Sequence, residues 1–69
     1  MKNYLVIVEK TDSGYSAYVP DLPGCVAFGA TKAEVEQQIR EGIVFHLEGL
    51  LLEGLPVPEP TTEVLTVAA

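Results

Sequence analysis

The segment Val19-Pro20-Asp21-Leu22-Pro23-Gly24-Cys25, with two prolines inside four residues, narrows the folds open to this chain more than any other feature. Each proline fixes φ at about −65° and removes an amide donor, so strand pairing must break here and the chain must turn in a shape set by its covalent geometry. The flanks read as strands. Tyr15 to Val19 alternates, with Tyr15, Ala17 and Val19 on one face and Ser16 and Tyr18 on the other, until Pro20 ends the pairing. Cys25 to Gly29 makes the next strand, with Val26 and Phe28 facing opposite to Cys25 and Ala27. Upstream, Tyr4 to Glu9 is rich in β-branched and aromatic residues and is bounded by the polar turn Lys10-Thr11-Asp12-Ser13-Gly14. Three consecutive strands joined by short turns predict an antiparallel meander.

A helix follows. Thr31 with Glu34 three residues later forms a capping box, in which hydroxyl and carboxylate each satisfy an amide left unpaired at a helix start. Val35, Ile39, Ile43, His46, Leu47, Leu50 and Leu51 recur at helical spacing, and Glu36, Gln37, Arg40, Glu41 and Glu48 take the other side. Gly54 and Pro56 stop the helix at about Glu53, for a length of about 33 Å at 1.5 Å per residue. A typical strand spans only about 17–20 Å, so the C-terminal half of such a helix overhangs the sheet. Val44, Phe45 and Leu52 widen its apolar surface there and are expected to form a subunit contact. Beyond Gly54, prolines at 56, 58 and 60 hold the chain extended and return it toward the sheet, where Thr61 to Val67 is a fourth candidate strand. The expected architecture is α+β: an antiparallel sheet of three to four strands with one long helix packed on one face, in the order β-β-β-α-β.

At 69 residues this is one domain, 1–69, too small to bury a generous core. Small domains are supported by disulfides, a metal or oligomerisation, and one cysteine with one histidine leaves oligomerisation, as a dimer or larger, as the expected support. The lone cysteine also fits a reducing compartment, which places the chain in the cytoplasm. No apolar run approaches the ~20 residues needed to span a bilayer, so no membrane role is expected. Ten acidic against four basic side chains give a net charge of −6, which repels phosphate backbones and suits a basic protein partner.

Little here suggests catalysis. Cys25 and His46 would need a third orienting residue to act as nucleophile and base, and none stands out. A metal would have to borrow carboxylates from Glu9, Asp21 or a neighbouring subunit. Glu34, Glu41 and Glu48 recur every seven residues, as a solvated helix face does, and the glycines are scattered at turns rather than clustered as a phosphate cradle. No catalytic residue, metal site or cofactor is expected.

Taken together, Gly14 to Cys25, then Gly29-Ala30-Thr31, then a helix carrying His46-Leu47-Glu48, then Gly54-Leu55-Pro56-Val57-Pro58-Glu59-Pro60 resemble the HicB family of antitoxin domains over nearly the whole chain. The resemblance implies a partial ribonuclease H-like sheet without its metal-binding acids. It also implies a non-catalytic antitoxin of a type II toxin–antitoxin pair, whose partner, HicA, is a small basic toxin that cleaves messenger RNA with a catalytic histidine. Such antitoxins cover the toxin's catalytic surface. Fuller members of the family add a C-terminal helix-turn-helix or ribbon-helix-helix module for binding operator DNA. Nothing after Val57 has the pattern of a recognition helix, so no DNA-binding module and no direct nucleic-acid contact are expected.

For a toxin interface the expected contacts are Tyr15, Tyr18, Asp21, Leu22 and Pro23, aromatic anchors beside a rigid turn. The alternative is a homo-oligomeric module that binds a small molecule or another protein in a pocket between subunits.

Overall fold

The computed structural model describes residues 2–69. Three strands and a helix follow in the expected order, β1 (Ile7–Thr11), β2 (Gly14–Tyr18), β3 (Val26–Gly29) and α1 (Lys32–Leu52). The sheet is antiparallel with strand order β1-β2-β3, and α1 packs across β2 and β3.

The first strand lies later than its composition suggested. Ile7 pairs with Tyr18 and the ladder runs through Lys10 opposite Tyr15 to Thr11 opposite Gly14, leaving only Asp12 and Ser13 as the hairpin loop. Residues 4–6 fall outside the ladder because their partners would be Val19 to Asp21, where Pro20 has no amide and the chain is already turning. β3 likewise starts at Val26, one residue past the expected Cys25.

The double-proline segment is two successive β-turns. The Leu22 amide donates to the Val19 carbonyl at 3.0 Å, and the Cys25 amide to the Leu22 carbonyl at 3.0 Å. Both prolines therefore occupy the second position of a turn, and Gly24 follows Pro23 with φ of 87°, the left-handed position that a type II turn reserves for glycine. Leu22, shared by both turns, is driven inward and is fully buried.

α1 starts as its capping residues dictate. Thr31 Oγ1 accepts from the Glu34 amide at 3.1 Å, while the Glu34 carboxylate reaches the amide of Ala30 at 3.3 Å, one residue before the expected Thr31 amide. It ends in a Schellman arrangement, with the Leu55 amide on the Leu50 carbonyl, the Gly54 amide on the Leu51 carbonyl, and Gly54 at φ 69°. Its 21 residues span about 32 Å.

Ala17, Val19, Leu22, Cys25, Ala27, Val35 and Ile39 form the core, with Tyr4, Val6, Val8, Tyr15, Ile43 and Leu47 packed around it. Leu51 and Leu52 are exposed in the last turn of α1, and Val44 and Phe45 are exposed along its flank. Leu51, assigned from its spacing to the packing stripe, is 67% exposed and takes no part in the core.

Residues 55–60 run back beside the N-terminus, where the Tyr4 hydroxyl donates to the Pro58 carbonyl at 2.6 Å and Lys2 Nζ meets the Glu59 carboxylate at 2.6 Å. The expected fourth strand, Thr61 to Val67, does not form within the chain. Its first two residues are bonded to the Asp21 side chain instead, and residues 63–69 run out exposed.

Candidate partner-binding face

Strand alternation gives the sheet two unlike faces. The face under α1 carries Ala17, Val19, Cys25 and Ala27 and is buried. On the opposite face the register aligns Ile7, Tyr18 and Val26 in one row across the three strands, and Glu9, Ser16 and Phe28 in the next. Tyr18, Val26 and Phe28 are 41%, 56% and 72% exposed, so an aromatic and β-branched patch lies open on a side that no element among the described residues covers.

The patch continues round the β3 edge. A trough of about 910 Å³ separates that edge from α1, lined by Val26, Phe28, Gln38, Glu41, Phe45 and Glu48 among others. Phe45 and Val44, two of the three residues expected at a subunit contact, are exposed along it, and Leu52 stands exposed at the end of the helix. Glu9 borders the apolar surface on the sheet side, and Glu41 and Glu48 border it on the helix side. With Arg40 the only cation among the lining residues, the surface is apolar with an acidic rim.

The five residues expected at an interface fall into different roles. Tyr18 and Pro23 are exposed, and Tyr18 lies at the centre of the open face. Tyr15 is half-buried and packs against the core. Leu22 has no exposed surface and cannot touch a partner of the folded chain, because the paired turns aim it into the core. Asp21 is engaged: its carboxylate accepts from the Thr62 amide at 3.0 Å, the Thr62 hydroxyl at 2.9 Å and the Thr61 hydroxyl at 3.2 Å. The Thr62 amide bond is the largest of the influences that hold this carboxyl below its usual value of 3.8. Asp21 therefore ties the C-terminal segment to the turn.

Val26 and Phe28 are the residues that interface reasoning from the turn passed over. Their signal was present in the alternation that set them opposite Cys25 and Ala27. Two large apolar side chains on the strand face away from the helix needed an occupant.

Burial pushes the Cys25 thiol above its usual value, and its sulfur lies 3.8 Å from where a Cβ on Gly42 of α1 would stand. Among the described residues no three His, Cys, Asp or Glu side chains gather as a metal site. Among them, too, no helix is long and apolar enough to cross a membrane.

Comparison with known proteins gives a consistent picture. Residues 4–68 match the family described as HicB_like antitoxin of bacterial toxin-antitoxin system. A UPF0150 protein of Synechocystis is 45% identical over 58 residues, covering 83% of this chain and 73% of the relative. A 14.9 kDa protein from the rep-hol intergenic region of Haemophilus phage HP1 is 39% identical over 56 residues, 81% of this chain, which spans only 42% of that protein's length. Among solved structures, a chain of a HicA3 and HicB3 toxin-antitoxin complex superposes with a TM-score of 0.73 at 35% identity, covering 87% of this chain and 70% of that one.

Proposed function

The chain belongs to the HicB-like antitoxin family of bacterial toxin–antitoxin systems, and from that premise we propose that it acts without catalysis, binding a small basic HicA-type toxin and shielding the surface that cleaves messenger RNA. The observation that carries this reading is the open sheet face. Tyr18, Val26 and Phe28 supply a desolvatable centre of the kind that dominates interface energetics, and Glu9, Glu41 and Glu48 flank it with charge complementary to a basic partner. The net charge of −6 adds long-range attraction to such a partner and repulsion from its RNA substrate. The complex in which the related chain is found supports the choice of partner class.

The proposal assigns Tyr18, Val26, Phe28 and Pro23 to the toxin contact and gives Leu22 and Asp21 the supporting work of shaping the turn. Tyr18→Ala and Phe28→Lys, titrated against a HicA-type toxin that binds the unsubstituted chain, are expected to weaken binding at least about thirtyfold, the equivalent of about 2 kcal/mol at a central contact. Circular dichroism should find both variants folded. Affinity within about twofold of the unsubstituted chain for both would remove the open face from the interface.

A further inference from the structure

We infer that residues 64–67 of one copy of this chain add as a fourth strand to the open edge of β3 in a second copy. The edge is built to receive one. The Val19 amide bonds to the Cys25 carbonyl at 3.1 Å. The alternation of an antiparallel ladder then places Ala17–Ala27 and Tyr15–Gly29 among the bonded pairs and turns the amides and carbonyls of Val26 and Phe28 outward. Among the described residues no strand takes them up. The other edge, where the same alternation turns the backbone groups of Val8 and Lys10 outward, carries the Lys10 charge, which discourages pairing there.

The C-terminal segment matches what the β3 edge requires. A strand seated there has one face beside Val26 and Phe28 in the open sheet surface and the other against Val44 and Phe45 on the flank of α1. It needs apolar side chains both on the face that meets Val44 and Phe45 and on the face that extends the Val26 and Phe28 patch. Val64-Leu65-Thr66-Val67 offers both, with Leu65 and Val67 on one face and Val64 beside Thr66 on the other, and it carries no charge to meet Glu41 and Glu48. Val64, Leu65 and Val67 are 69%, 85% and 77% exposed in their own chain, a large apolar surface for a segment with no packing of its own. In that chain Asp21 holds Thr61 and Thr62 at the turn, and the residues that follow are exposed and pair with no strand.

A second copy therefore supplies the fourth strand. If each chain both gives and receives, the contact closes on a two-fold axis as a dimer, and the added strand widens the open face while leaving it free. This inference stands apart from the choice of toxin partner. It also gives Val44 and Phe45 their cover.

Directed cross-linking tests it, with Cys25→Ala in every chain to remove the native thiol and circular dichroism to confirm folding. A copy carrying Phe28→Cys mixed with a copy carrying Leu65→Cys should form a disulfide-linked heterodimer under mild oxidation at least tenfold faster than either copy forms a homodimer. Repeating the mixture with Val26→Cys in place of Phe28→Cys covers a shift of register. Sedimentation of the unsubstituted chain should give a dimer mass that Leu65→Asp with Val67→Asp halves. A doubly substituted chain, Phe28→Cys with Leu65→Cys, that closes only on itself would show the segment pairing with its own edge and overturn the inference. So would the absence of a cross-link in both mixtures, or a monomer at 100-fold the concentration of the cross-linking mixture.

Discussion

Leu22→Ala separates the two roles this residue has been given, because a turn residue in a binding loop and a core residue answer differently to truncation. Leu22 has no exposed surface and sits in one cluster with Val19, Val35 and Ile39, where strand, turn and helix meet. Removing its isobutyl group loses the transfer energy of the buried atoms and leaves a cavity that two proline-fixed turns cannot collapse to fill, a cost of about 3 kcal/mol within the range for buried leucines. A domain of 69 residues at typical stability has roughly 3–10 kcal/mol in all. Each kcal/mol moves the midpoint of a domain this size by about 4–8 °C, so the variant should melt roughly 12–24 °C lower by far-UV circular dichroism. Toxin affinity, measured at a temperature below both transitions, should fall only by the fraction of chains unfolded. A midpoint lowered by less than about 3 °C together with lost affinity would return Leu22 to the interface.

Two further substitutions test the placement of the turn and the helix. Asp21→Ala removes the acceptor for the Thr62 amide, so hydrogen exchange at Thr62 should lose its protection while Ala17 and Ala27 keep theirs. In the unsubstituted chain the folded carboxyl titrates below its usual value of 3.8. The tether is therefore fully present above that value and is lost as pH falls through the lower folded one, which a pH series of Thr62 exchange rates would follow. Gly29→Ala places a Cβ 2.8 Å from the Val35 amide nitrogen and 3.1 Å from its Cα, so the start of α1 must move off the sheet. A loss of about 1–3 kcal/mol is expected in urea unfolding, and no change in the midpoint would mean that the helix start has room to shift.

The order of elements was legible because its signals are local. Pro20, the Pro23-Gly24 turn and the Thr31 to Glu34 cap each act within a few residues, and all three stand where the chain's composition places them. The bounds of β1 were not, since they depend on which residue of β2 stands opposite, and Pro20 decides that from across the hairpin. Leu22 was misjudged for a related reason: turn residues usually face solvent, and only the sharing of one residue by two turns drives this one inward. The Asp21 tether joins positions about forty apart, beyond the reach of any local pattern. Thr61 to Val67 does carry the composition of a strand, but composition says nothing about where its partner edge lies.

Of the candidate site, the half that rests on strand alternation was readable. Tyr18 faces outward as its spacing requires, and Val26 and Phe28 join it across the ladder. What alternation does not supply is the choice between an open face and a covered one. That depends on which side α1 packs, and the small buried residues Ala17 and Ala27 settle the matter by letting the helix approach closely on theirs.

The most direct test of the antitoxin role is RNA cleavage by a HicA-type toxin, purified from a host that carries this chain's gene, measured alone and with increasing amounts of the purified chain. Cleavage should fall to background as the chain reaches equimolar amounts, in step with formation of a complex seen by size-exclusion chromatography. Undiminished cleavage at a large molar excess of folded chain, with no complex, would contradict that role.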